Sequence, residues 1–402
     1  DGNIFIDMTG GLGVNNIGHH HPKVVEAVKR QADILMHALD VVHPTRTALA
    51  MKMAEIMPGR LKNNCFTAFA TSGSGAVELA VKFAKQIKRK PEILVFQGAY
   101  HGVYGHSNAM TASYHYREGY GPFVPGVTFF PYGYCYRCFI GAEYPKCGVA
   151  CAHYFDYVVN GPYTGVYEPA ICVGEPIQGE GGYIDPPPEF WPIIKKACEK
   201  AGILFASDEI QAGFGRTGKL WAIEHWGVEP DMIIWGKGVG GDQPVTGVTL
   251  GREHYDKLIT GSVPATFPGN GLAMVTALTN IEILTDPEAD LMGRATRIGE
   301  YIKGMLKDAQ KDSKVIGDVR GKGFMLSVEV VKDRETKEPP EQGKCAGVMV
   351  KMIQRGVLNF VCGRNGNVFR FMPPLTITKE YFEKAIRIFL ETLKEEEDNL
   401  TR

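Results

Sequence analysis

The sequence predicts an α/β fold with a mostly parallel sheet, and three observations carry that prediction. Two short apolar runs, Ile203–Ala206 and Met232–Trp235, stop at turn residues, the pattern of strands buried on both faces of a parallel sheet. Helical patterns alternate with such runs along much of the chain. The residues just past the two runs carry chemistry: an acid, Asp208, and a lysine between glycines, Lys237. Ligands of open parallel sheets sit outside the carboxyl ends of the strands, so these two side chains are placed to meet.

A lysine held there, away from bulk water, loses its proton more easily and can form a Schiff base. A carboxylate across the site can pair with a pyridinium nitrogen. The plainer alternative makes Asp208 a loop cap and Lys237 a surface lysine.

The chain in order supplies the other elements. A proline near the start and the spacing of Val24, Val25, Ala27 and Val28 predict an amphipathic helix from Pro22. His19, His20 and His21 precede it and read as turn and cap residues rather than metal ligands. Thr45–Met57 is a second helix, stopped by Pro58-Gly59. CFTAFATSGSGAVELAVKFAKQIKR then reads as strand, small-residue turn and long helix, and such a helix start can favour a phosphate. Pro91–Phe96 is a strand followed by QGAYHGVYG, where an aromatic at a strand end can lie flat on a planar ligand. Ile171–Gly182, ICVGEPIQGEGG, runs from a strand into a loop with two carboxylates. Phe190–Lys200 is helical. From about Leu284 a long helical stretch leads to a strand-rich Val315–Val330, a helix over Lys344–Gln354, a strand around Arg370 and a closing helix over Tyr381–Glu397.

Composition bounds the function. The 402 residues carry 44 Lys+Arg against 45 Asp+Glu, so no global field draws nucleic acid or an anionic membrane. No apolar run approaches the roughly 20 residues needed to span a bilayer. A cytoplasmic location is inferred on this basis, and residues preceding the given start are expected.

SDEIQAGFGRTGKLWA followed by PDMIIWGKG closely resembles the signature of the class III, ornithine/4-aminobutyrate type, pyridoxal-phosphate aminotransferases, and the resemblance covers nearly the whole chain. It implies the fold-type I architecture: a large domain with a mostly parallel seven-stranded sheet, here 41–284, and a small α/β domain, 285–402, with 1–40 packing against the small domain. It implies a ping-pong transfer of an amino group from an amine or ω-amino acid to a 2-oxo acid, in a homodimer with composite sites. Lys237 then carries the cofactor aldehyde and shuttles a proton, and Asp208 keeps the ring nitrogen protonated. Gly73 and Ser74 match the phosphate cup, Tyr100 the aromatic platform with His101 beside it, and Gln211 the contact to the cofactor 3-hydroxyl. Glu175 matches supporting structure and Glu180 a gate over Arg370. Arg370, in NVFRFMPPLT, matches the arginine that binds the α-carboxylate. Thr266 matches a phosphate ligand given to the other subunit.

Two features depart from the family. Where an arginine usually follows the YHG motif and grips a distal carboxylate, this chain has Val103, which cannot donate a hydrogen bond. Pyruvate is therefore expected to be a better acceptor than 2-oxoglutarate, by about 2–3 kcal/mol for one lost charge-assisted contact. The second is an insert, 133–152, with Cys135, Cys138, Cys147 and Cys151 spaced C-x2-C-x8-C-x3-C. Four thiolates in so short a segment can surround a soft metal centre. A [4Fe-4S] cluster is expected, with zinc as the alternative, stapling a loop; free thiols or disulfides are the plainer readings. Two functional alternatives stay open: an isomerase (aminomutase or amino acid racemase) on the same scaffold, and a non-catalytic metal-cluster protein.

Overall fold

The computed structural model describes residues 2–39, 41–263 and 265–402. Its larger sheet has seven strands in the order Cys65–Ala70, Thr246–Gly251, Met232–Trp235, Leu204–Asp208, Pro169–Gly174, Glu92–Phe96 and Val127–Phe130. Only Thr246–Gly251 runs against its neighbours; the other pairings from Met232–Trp235 to Val127–Phe130 are parallel. Every residue of Leu204–Asp208 and Met232–Trp235 is buried, which is why both read as apolar runs without alternation. The registers Ala206↔Met232 and Asp208↔Ile234 set the carboxyl ends of the two strands side by side. Asp208 and Lys237 therefore leave the sheet on the same edge.

Crossover helices cover both faces. Gly73–Lys88 is capped by the Ser72 hydroxyl, which accepts from the Gly75 N–H at 3.1 Å. Ala150–Asn160 packs on Phe190–Ala201. Beneath these lies an aromatic core in which Trp191 sits edge-on to Phe96, with ring centroids 5.4 Å apart.

A second, antiparallel sheet has the order Phe360–Cys362, Val368–Phe371, Met325–Val330 and Ile316–Lys322. It carries Leu291–Asp312 against Ile316–Lys322 and Met325–Val330, and Lys344–Gln354 and Lys379–Glu395 pack on each other nearby. The amino-terminal Ile6–Asp7 pairs in parallel with Val357–Leu358, so this end of the chain joins the carboxyl-terminal elements.

The expected long helical stretch from Leu284 differs from what forms. One helix, Gly271–Thr285, ends there, and a second begins at Leu291. Pro287 lies in the break, and Asp290 closes it with a left-handed φ of 42°, a conformation no helix interior accommodates. The closing helix starts at Lys379 because the Thr378 side chain caps it. Among the described residues, no helix is long and apolar enough to cross a membrane.

Candidate active site

The carboxyl edge of the large sheet opens into a cavity of about 500 Å³. Lys237, Asp208, Gln211, Tyr100, His101, Glu175, Glu180, Gly73 and Ser74 all line it. Nine of the residues singled out by sequence thus converge on one space. Lys237 opens a short 3-10 turn directly after Met232–Trp235 and has φ 41°, a left-handed backbone in which an L-residue is strained. Burial, and then the positive charge of Arg370, lower its ammonium pKa to about 8, against the pull of Glu175, Asp208 and Glu180.

Asp208 is buried, and its two oxygens are engaged differently. One accepts from the Ile210 N–H at 3.1 Å; the other lies 2.7 Å from His101 Nδ1. Burial alone would lower the His101 pKa, but the hydrogen bond and charge of Asp208, with Glu175 behind it, hold it above the usual value. His101 Nε2 and Gln211 Oε1 are buried without a protein partner among the described residues. An unmet donor or acceptor in a buried wall is costly unless a ligand meets it. A planar, phosphorylated pyridine with a hydroxyl and an aldehyde fits this donor set. The amine of Lys237 suits the aldehyde, the Asp208 carboxylate the ring nitrogen, and Gln211 the hydroxyl. The first turn of Gly73–Lys88 suits the phosphate.

Glu175 supports this wall without lining it alone. Its carboxylate accepts from the N–H groups of Tyr100 (2.9 Å) and Gly179 (2.8 Å), pinning the aromatic platform to the following loop. Burial raises its pKa to about 7. Farther out, Arg370 on Val368–Phe371 donates from Nη1 to Glu180 Oε2 at 2.9 Å. Arg370 Nε is buried and unpartnered, so one edge of the guanidinium fork stays free while Glu180 holds the other. This pair can exchange an internal carboxylate for a substrate one.

Two singled-out residues stand apart. Thr266 is exposed and lies outside the lining of this cavity. Val103 is 44% exposed and also lies outside it; its N–H donates to Ser74 Oγ at 3.2 Å. Sequence reasoning missed Tyr116, whose ring meets Tyr100 edge-on at 4.9 Å. It also left unread the Asp242–Thr246 loop, which closes the cavity wall. The polar Asp242-Gln243 pair in the glycine-rich GVGGDQPVTG stretch was the sequence signal for that loop, and the aromatic density of SYHYREGY the one for Tyr116.

The cysteine insert differs from the expected metal centre. Cys135, Cys138, Cys147 and Cys151 line one small, largely apolar cavity, and all are free thiols. Among the described residues, however, no group of three or more His, Cys, Asp or Glu side chains is arranged to hold a metal ion. The segment has its own order: Cys135 lies in a 3-10 turn, and Cys151 in the first turn of Ala150–Asn160. Burial, then the like charges of the other three thiols, push Cys135 up to about 11, so it stays protonated at neutral pH without a cation. The residue just before the insert reaches the active-site loop. Tyr132 donates to the carbonyls of Glu175 and Pro176, both at 2.9 Å.

The comparisons agree with this geometry. The model of the family "Aminotransferase class-III" matches residues 1–393. The alanine/serine racemase of Pyrococcus horikoshii is 37% identical over 402 residues, covering 98% of this chain and 83% of that protein. A probable 4-aminobutyrate aminotransferase of Bacillus subtilis is 36% identical, covering 96% and 88%. The solved (S)-enantioselective omega-transaminase of Thermomicrobium roseum superposes with a TM-score of 0.89 at 30% identity, covering 97% and 88%. The chain belongs to the class III aminotransferases, pyridoxal-phosphate-dependent transaminases of fold type I.

Proposed function

We propose that this enzyme moves an amino group from an amine or ω-amino acid to a small 2-oxo acid, pyruvate before 2-oxoglutarate, in a ping-pong cycle. The observation that carries this reading is the Arg370–Glu180 pair at the rim of the cavity that holds Lys237 and Asp208. When bound, pyridoxal phosphate supplies the electron sink that stabilises the substrate carbanion. The residues do the rest. Lys237, its pKa lowered to about 8, is available as a free amine that takes a proton from the substrate carbon and returns one. Asp208 would hold a negative charge against the ring nitrogen, Tyr100 would cover the ring, and Gly73 and Ser74 would hold the phosphate. Glu180 neutralises Arg370 while an amine without a carboxylate is in the site, and it yields when a 2-oxo acid arrives. In this reading residues 41–284 hold the cofactor and 285–402 bring Arg370 to it. Thr266 completes the phosphate site of a second copy of the chain in a homodimer.

The absence of an arginine at Val103 supports the acceptor preference, since no cation there meets a distal carboxylate. The test is the ratio of kcat/KM for pyruvate to that for 2-oxoglutarate with one amine donor. A ratio of about 30- to 150-fold is expected, the equivalent of about 2–3 kcal/mol for one lost charge-assisted contact. A preference for 2-oxoglutarate overturns the acceptor assignment.

A racemase is the second reading, favoured by the 37%-identical relative that bears that name. It would use the same Lys237 and retain the amino group on the substrate.

For the insert, we propose that the four cysteines take up a soft metal centre, a [4Fe-4S] cluster or alternatively zinc. Their shared cavity supports this, and ligation would require the segment to rearrange. Metal analysis of anaerobically purified protein should give about four iron or one zinc per chain. Less than about one-tenth of either, with four titratable thiols, overturns it.

A further inference from the structure

Glu180 borders two cavities. One is the cofactor cavity; the other, of about 630 Å³, lies across the 179–182 loop and is lined in part by His115, Arg117, Gly363 and Arg364. Arg370 reaches Glu180 from one side. The turn that joins Phe360–Cys362 to Val368–Phe371 approaches from the other, and its Gly363 N–H donates to the Glu180 carbonyl at 2.9 Å. Arg364 follows at once in that turn.

The cations of this second cavity are not equivalent. Arg117 Nη1 donates to the carbonyls of Ala109 (3.1 Å) and Thr111 (2.8 Å), and its guanidinium lies 4.1 Å from the Phe123 ring centroid. The His115 ring packs on Tyr114 at 4.1 Å. Arg364 is exposed and makes no ion pair or hydrogen bond among the described residues. A half-buried carboxylate that leaves one guanidinium loses a charge-assisted contact unless another cation receives it. The one uncommitted arginine of the space on its far side is Arg364.

We propose that Arg364 is the second station of the gate: Glu180 alternates between Arg370 on the cofactor side and Arg364 on the other. In the amine half-reaction Glu180 sits on Arg370, as the structure has it. When a 2-oxo acid presents its carboxylate to Arg370, Glu180 turns into the neighbouring cavity and pairs with Arg364. No covalent bond is made or broken in this exchange; the single Glu180–Arg370 pair gives way to two, the substrate carboxylate on Arg370 and Glu180 on Arg364. Arg364 is thus a positioning residue for the acceptor half-reaction and acts through Glu180. The inference rests on the reading of Glu180 as the gate.

The experiment follows the two half-reactions separately by rapid mixing of the cofactor-loaded enzyme, using an uncharged amine and then pyruvate. In Arg364→Ala the apparent affinity for pyruvate should fall about five- to tenfold, while the amine half-reaction stays within about twofold. Arg364→Lys should recover most of the loss. In a Glu180→Ala background, Arg364→Ala should have no further effect, because the group it receives is gone. Three results overturn the proposal: an unchanged pyruvate step, an equal loss in both half-reactions, or the same loss in the Glu180→Ala background, which would mean direct contact with substrate. Glu180→Ala alone tests the underlying reading. It should slow the amine step and tighten pyruvate binding, and an unchanged ratio of the two rejects the gate itself, whatever Arg364 does.

Discussion

Replacing Lys237 by methionine is expected to lower turnover by at least about 10⁴-fold, because in the proposed mechanism one substitution removes both the covalent attachment point and the proton carrier. The same substitution should abolish borohydride-fixed labelling of the protein by pyridoxal phosphate at this position, with circular dichroism unchanged. In the unaltered protein the pH dependence of that labelling carries the sign of the local electrostatics. Only the neutral amine attacks an aldehyde. Burial and Arg370 bring the pKa down to about 8, so the labelling rate should rise through a midpoint near that pH, below the range of an ordinary lysine. Removing the Arg370 charge should move the midpoint up. A labelling midpoint above pH 10 would show that the amine is solvated rather than enclosed.

Asp208→Asn is the second large effect. Asparagine keeps the shape and loses the charge, so in the proposed mechanism the cofactor would still bind but its ring nitrogen would no longer be held protonated. A loss of about 10²–10³-fold in kcat is expected, the scale of removing one preorganised electrostatic partner from a closed site. The substitution also has a readout independent of catalysis. His101 is fully buried, and Asp208 is the first of the groups that raise its pKa against that burial. Without the carboxylate, burial dominates and the imidazole should turn neutral at a lower pH, visible in its NMR titration. An unchanged His101 titration would contradict the 2.7 Å pairing.

These two residues were legible in the sequence for a physical reason. Strands buried on both faces must be apolar throughout, so a charged residue can appear only where the strand ends, and there it faces the ligand edge. Glycines flank Lys237 because the backbone turns sharply there, with Lys237 itself at φ 41°. Arg370 was harder. It lies inside a short strand, Val368–Phe371, and spacing alone does not say which face it takes; only the surrounding motif did. Tyr116 was not legible, since an aromatic in a loop carries no periodic signal. Nor was Arg320, whose Nε and Nη2 donate to the Gly182 carbonyl at 3.0 and 2.6 Å while it pairs with Glu329 at 2.8 Å. Tyr134 and Arg137 of the cysteine insert bond to that same Glu329. The insert therefore meets the gate loop through contacts far apart in sequence, and no local pattern announces them. The cysteine spacing predicted a ligand set; the backbone order of 135–137 and 150–160 sets the four thiols around one cavity, which the spacing alone does not specify.

Transfer of the amino group, rather than its return to the same carbon, is the central claim, and one stoichiometry tests it. The cofactor-loaded enzyme is mixed with excess L-alanine and no 2-oxo acid, and pyruvate and D-alanine are both measured. A transaminase releases one pyruvate per Lys237 site and then stops until a 2-oxo acid is added. Continuous formation of D-alanine, with no stoichiometric pyruvate, would contradict the assignment and establish the racemase.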